Sequence, residues 1–216
     1  MTTQLPPPYQ PLHDEREQGP LIVLEGVSGV GKSTLRAALA KQLGAASIHT
    51  LAHPHTEWSG SVNRKLRPLP QFGFYLSGLL HASDSIRMAR AIEPVIADRY
   101  TSSVLACHAA VHHVPLESVR QLMEPYRSYL TEPTHTFYLS CSAEELRRRI
   151  ASKSDLTRDD ADLLEVKGRL PQLLENFTAV AQDDPTAILI ETDDKSATEV
   201  ADLIAAHLEK ARAQSH

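Results

Sequence analysis

Leu21-Ile22-Val23-Leu24-Glu25-Gly26-Val27-Ser28-Gly29-Val30-Gly31-Lys32-Ser33-Thr34 decides how the rest of the chain is read. Four consecutive apolar residues end at a glycine turn, as a buried strand does. Residues 26–33 then fit G-x-x-x-x-G-K-[ST] at every fixed position. From Lys32 the leucines recur every four residues, at 35, 39 and 43, and Gly44 stops the helix. Strand, loop and helix in that order are the setting a phosphate-cradling loop requires. Its glycines let backbone N–H groups turn inward around an anion, and the helix start adds its positive dipole end. Lys32 is the candidate to neutralise the β- and γ-phosphates of a nucleotide, and the Ser33 hydroxyl to ligate Mg²⁺. Gly26, Ser28, Gly29, Val30, Gly31 and Thr34 complete the nucleotide-binding set. Four fixed residues in this context argue against a chance glycine-rich turn.

Outward from the loop, apolar and helical patterns alternate. Strands are expected at 47–51, 94–97, 134–140 and 187–191. Helices are expected at 72–90, 102–111, 116–130, 143–153, 161–182 and 197–213, with loop and a short helix over 52–70 and a charged loop over 154–160. Alternating strands and helices predict an α/β fold, a parallel sheet covered on both faces. Residues 1–20, with Pro6, Pro7, Pro8 and Pro11, read as a flexible tail without the apolar core of a signal peptide. Residues 21–216 read as one domain.

Asp98-Arg99-Tyr100 follows the strand at 94–97. Ligands of a parallel sheet collect at the carboxyl ends of its strands, so Asp98 is expected beside the phosphate loop. There it would hold Mg²⁺ through water or accept a proton from the acceptor, and Arg99 would clamp a phosphoryl oxygen. A surface ion pair at a strand end is the plainer alternative. Glu25, just before the loop, has two readings that stay open: general base toward a hydroxyl acceptor, or structural acceptor for backbone N–H groups.

The bulk numbers allow one packed domain and do not exclude an anionic ligand. The 216 residues are 42% apolar and 23% charged, enough for one packed core. A net charge of -5 argues against nucleic-acid binding. No apolar run approaches the ~18 residues of a membrane span. Cys107 and Cys141 form no metal or disulfide spacing, so reduced thiols in the cytoplasm are expected.

With Leu24-Glu25-Gly26 entering the loop, Asp98-Arg99-Tyr100 followed by Ser102 and Ser103, residues 137–140 running into 145–150, and Thr157-Arg158-Asp159, the chain resembles the thymidylate kinase family over roughly 21–213. The resemblance implies a P-loop kinase fold with a five-stranded parallel sheet, a short lid closing over ATP, Mg²⁺ as cofactor, and often a homodimer. It also implies that Lys32, Ser33, Asp98, Arg99 and the lid residue Arg158 work on the phosphates and that Arg149 borders the adenine. A lid arginine supplies its charge only once water is shut out.

Two places depart from the family. Its phosphate loop usually carries an acid that helps bind the sugar, and here that place holds Ser28. Its long helix carries an arginine for the acceptor's monophosphate, and here that place falls near Ser77-Gly78. A buried phosphate without a cation is costly, which favours an acceptor lacking one, such as a nucleoside or a metabolite hydroxyl, while a nucleotide acceptor, thymidine monophosphate included, stays open. Arg64, Lys65 or Arg67 are the nearby cations that would substitute. Loosely, Glu25 also resembles the base of deoxynucleoside kinases.

Other signals weigh less. His108 and His112 lie one helical turn apart, but no carboxylate or cysteine stands at zinc-site spacing. His53 and His55 fall on an acceptor-side loop. Trp58, Phe74 and Tyr75 offer stacking faces, the last two reading as core. A nucleotide-hydrolysing switch is the competing class, but the guanine-specific Asn-Lys-x-Asp pattern is missing from the sequence.

Overall fold

The computed structural model describes residues 6–12, 18–153 and 156–214. Five strands form one parallel sheet: β1 (Leu21–Glu25), β2 (Ala46–His49), β3 (Val95–Asp98), β4 (His135–Ser140) and β5 (Ala187–Glu191), in the spatial order β2-β3-β1-β4-β5. Strand β1 is central, and the chain leaves it toward opposite edges. That places the crevice at its carboxyl end, where open parallel sheets bind ligands.

Both faces of β1 are buried. Ile22 and Leu24 pack with Leu35 and Leu39 of α1 (Lys32–Leu43) and Ile204 of α9 (Ala197–Gln214). Leu21 and Val23 face Phe72, Leu79 and Ile86 of α3 (Pro68–Arg90), with Val104 and Leu105 of α4 (Thr101–His112). The continuous apolar run, without polar alternation, is thus the signature of a strand covered twice.

The remaining helices are α2 (His55–Lys65), α5 (Leu116–Met123), α6 (Ala143–Ala151), α7 (Arg158–Glu165) and α8 (Arg169–Gln182). Three differences from the sequence expectation go beyond a residue or two at an element's end. Helix α3 begins at Pro68 rather than 72, because proline fits the first helical turn, where its missing N–H costs nothing. The helix expected over 116–130 stops at Met123 and continues as a 3₁₀ turn, Glu124–Tyr129, with Pro125 in its first turn. The helix expected over 161–182 is two helices, split at Gly168 with φ of 80°.

That last difference moves a candidate residue. Thr157 and Asp160 form a reciprocal capping box, so α7 starts at Arg158. Arg158 opens a helix instead of lying in a loop. Of the charged loop expected over 154–160, residues 154 and 155 lie outside the described residues, as do 1–5 and 13–17 of the expected tail. Within the tail, the Tyr129 hydroxyl donates to the Tyr9 carbonyl at 2.6 Å, and Gly19 exchanges hydrogen bonds with Arg90 at the end of α3.

Candidate active site

The loop between β1 and α1 is shaped by glycines at two demanding positions. Gly26 has φ of 136°, and a Cβ there would stand 2.5 Å from the Leu139 carbonyl oxygen. Gly31 has φ of 105° at the residue that precedes α1. A side chain at Gly26 would have to displace backbone, and one at Gly31 would be strained by its positive φ. The result is a tight turn opening onto the amino end of α1, a site with unpaired N–H groups and a favourable dipole for anions.

Lys32 lies inside this turn. Its ammonium donates to the carbonyls of Gly26 and Val27, both at 2.8 Å, and only 5% of the residue is exposed. Burial, reinforced by the Arg99 guanidinium, pushes its pKa down to about 7. A cation held in that condition gains from an incoming anion, because the anion restores the charge that burial disfavours.

Asp98, at the end of β3, is buried beside the loop. The Ser33 hydroxyl donates to its Oδ2 at 3.1 Å, so the motif serine and the β3 carboxylate converge at one point. Both are hard oxygen donors, the kind that suits Mg²⁺. The chain then turns sharply. Arg99 takes φ of 70°, an uncommon conformation for a bulky residue and one that stores strain. Its guanidinium donates to the Gly26 carbonyl and to Ser103 Oγ, each at 3.2 Å, and the Thr50 hydroxyl donates to its carbonyl.

Glu25 holds that turn in place. Its Oε1 accepts the backbone N–H groups of Tyr100 at 2.8 Å and Ser103 at 3.1 Å; its Oε2 accepts the Ser103 hydroxyl at 2.5 Å. The carboxylate is completely enclosed, and burial raises its pKa against the lowering effect of these bonds. A general base needs an oxygen facing its acceptor, whereas this one caps the start of α4. Glu25→Gln is expected to lower stability by about 2 kcal/mol, the scale of a hydrogen bond to a buried charge. Urea denaturation reads that loss. Turnover per folded molecule should fall little; an unchanged midpoint with abolished turnover would restore the general-base reading.

On the outer side of the loop, Val30, Gly31, Thr34, Arg149, Thr192 and Lys195 are among the residues lining a cavity of 230 Å³. Arg149 spans it. Its Nη1 donates to the Val30 carbonyl at 2.8 Å and Thr192 Oγ1 at 2.9 Å, its Nη2 to the Thr192 carbonyl at 2.6 Å, and its Nε to Glu145 at 2.6 Å. With the edge of the guanidinium so engaged, its flat face is what remains for a planar ring.

The lid side differs from expectation. Arg158 is 76% exposed along its side chain and pairs with Asp162 one turn on, at 3.0 Å, rather than meeting the loop. The residue that does reach the loop is Asp160. It is 2% exposed, accepts from the Ser28 hydroxyl, from Lys153 Nζ at 2.8 Å and from Thr157 Oγ1 at 2.8 Å. A carboxylate therefore stands at Ser28 after all, brought by α7 instead of by the loop. Its pKa is pushed far down by the bonds from Lys153, Ser28 and Thr157, which outweigh burial. The spacing Thr157-x-x-Asp160 was the available signal, since it marks a helix start.

On the acceptor side, α3 carries no arginine at 77–78. Ser77 Oγ bonds His55 Nε2 at 2.9 Å, and a Cβ on Gly78 would lie 2.8 Å from Leu51 Cδ2 and 3.3 Å from the His55 ring. Arg64, Lys65 and Arg67 are exposed. Phe74 and Tyr75, expected in the core, are half-buried, with the Tyr75 hydroxyl donating to Asn63 at 2.7 Å, and Trp58 is 58% exposed. The His108 and His112 rings lie 4.5 Å apart, and no group of three or more histidines, cysteines or acids among the described residues could hold a metal.

A phosphate loop on the central strand of a 2-3-1-4-5 parallel sheet, with a second carboxylate at the neighbouring strand's end, defines the P-loop kinase class. Among solved structures, the thymidylate kinase of Candida albicans superposes with a TM-score of 0.72, at 17% identity over 90% of this chain and 93% of that one. The deoxyadenosine kinase of M. mycoides, solved with dCMP and dCDP, gives 0.65 at 20% identity, over 88% and 99%. At such identities these likenesses concern the fold. The thymidylate kinase family profile matches residues 24–204. A probable thymidylate kinase of Natronomonas pharaonis is 36% identical over 120 residues, 49% of this chain and 60% of that protein. The alignment thus spans less than two thirds of that relative's length. Thymidylate kinases of Prochlorococcus marinus and a Synechococcus strain are 30% and 29% identical over 77% and 89% of their lengths. The chain belongs to the thymidylate kinase family, and with it to the phosphotransferases.

Proposed function

We propose that this chain is an ATP- and Mg²⁺-dependent kinase that passes the γ-phosphate to the hydroxyl of a small acceptor lacking the usual monophosphate. The turn at 26–33 would cradle the triphosphate, with Lys32 against its β- and γ-oxygens, and the cavity beside Arg149 would take the base. Ser33 and Asp98 would hold Mg²⁺, which supplies charge neutralisation on the phosphate oxygens when bound. Arg99, strained toward the loop, would meet the charge that develops on the transferring group. Asp98 would also take the acceptor's proton. Arg158 would join only after leaving Asp162.

The observation carrying the altered acceptor is the packing at Ser77 and Gly78. Leu51 and His55 fill the space where an acceptor-binding cation would emerge from α3. Thymidine monophosphate phosphorylation is the second reading, and family membership over residues 24–204 favours it. A cytoplasmic setting suits either, with ATP abundant and the free thiols Cys107 and Cys141 kept reduced. ADP production measured across nucleoside monophosphates, nucleosides and hydroxylated metabolites tests the choice. We expect the best kcat/KM with an acceptor that carries no phosphate. Efficient turnover of thymidine monophosphate would establish the second reading instead.

A further inference from the structure

The first turn of α7 carries two adjacent acids that face different parts of the molecule. Asp160 accepts from Ser28 in the phosphate loop, as described above. Asp159 accepts from Asn63 Nδ2 of α2 at 2.8 Å. Asn63 in turn accepts through Oδ1 from Gln71 Nε2 and from the Tyr75 hydroxyl of α3, both at 2.7 Å. Gln71, 5% exposed, pairs through Oε1 with His112 Nε2 of α4 at 2.5 Å. The chemistry allows one orientation of the Asn63 amide, since only its NH₂ can serve a carboxylate and only its oxygen can accept two donors.

Two sets of hydrogen bonds, joined through the backbone between Asp159 and Asp160, therefore link the phosphate loop through α7 to the helices on the acceptor side. We propose that Asp159, Asp160 and Asn63 are positioning residues that couple occupation of the phosphate loop to the arrangement of α2 and α3. The proposal rests on the kinase reading and adds to it how the two substrate sides communicate. A loop that closes on a triphosphate shifts Ser28 and with it the start of α7. Asp159, one residue away on the same rigid turn, carries that shift to Asn63. A site that completes itself only when the nucleotide is present keeps water from the transferring phosphoryl group until the acceptor side is formed. Coupling of this kind is a free energy shared between sites, typically a five- to about 150-fold effect.

Amide hydrogen exchange of the full chain with Mg²⁺ and the non-hydrolysable analogue AMP-PNP tests it. In the unaltered protein the analogue should slow exchange by about tenfold over residues 26–33, 158–165 and 55–65. Asp159→Ala removes the acceptor for Asn63 while sparing the Thr157–Asp160 cap, so it should keep the first two effects and lose the third. Asp159→Asn retains an oxygen for Asn63 and should recover it, which a purely structural role for the side chain would not require. Protection of 26–33 without any effect on 55–65, or the full effect in Asp159→Ala, would overturn the coupling and leave the nucleotide site intact. Absence of protection at 26–33 would instead overturn the nucleotide site, and the coupling with it.

Discussion

Lys32→Ala should abolish phosphoryl transfer, by about a thousandfold or more, in a protein that remains folded. The ammonium is enclosed by the turn it serves, and burial depresses its pKa to about 7. An unfolded lysine titrates near 10.4, so between those values the unfolded chain binds more protons than the folded one. The penalty this group imposes on the empty protein is complete below pH 7 and disappears as pH rises through the higher value. Alanine removes the penalty, and the melting temperature at pH 7 should hold or rise. The same linkage reverses for ligand: a triphosphate raises the Lys32 pKa, so nucleotide affinity should fall as pH increases above about 7, with proton uptake visible by calorimetry at pH 8. Full turnover in a well-folded Lys32→Ala would remove this residue from the site. A pH-independent affinity above pH 7 would contradict the depressed lysine.

Asp98→Asn is expected to lower turnover by about a hundredfold or more while nucleotide affinity changes far less. The substitution is nearly isosteric, and one oxygen can still accept from Ser33, so the turn into Arg99 should keep its shape. What disappears is the negative charge at the end of β3, which on the proposed reading holds Mg²⁺ and takes the acceptor's proton. Steady-state kinetics beside direct binding of AMP-PNP separate the two effects. Equal losses in both, or a loss of folding, would make Asp98 a structural residue.

The sequence revealed the parts of this molecule that depend on short-range pattern. The loop motif carries its own fixed residues, and the fully apolar β1 announces a strand covered on both faces. What stayed hidden depends on contacts distant in sequence. Whether Glu25 acts as base or anchor turns on the N–H groups of Tyr100 and Ser103, which reach it because Arg99 adopts a left-handed turn. Asp160 escaped because its meaning comes from Ser28, 132 positions away, and because a charged stretch reads as loop unless its capping spacing is noticed. The start of α3 was misplaced for a local reason: Pro68 and Pro70 look like breakers, and only their position in the first turn makes them tolerable. The missing arginine at 77–78 was legible, whereas the filling of its space by Leu51 and His55 was not.

A crystal structure of the chain with AMP-PNP and Mg²⁺ tests the central claim most directly. The triphosphate should lie in the turn at 26–33, with Lys32 Nζ within hydrogen-bond reach of its β- and γ-oxygens and the base beside Arg149. An analogue bound elsewhere, or a turn left vacant at saturating analogue, would contradict it.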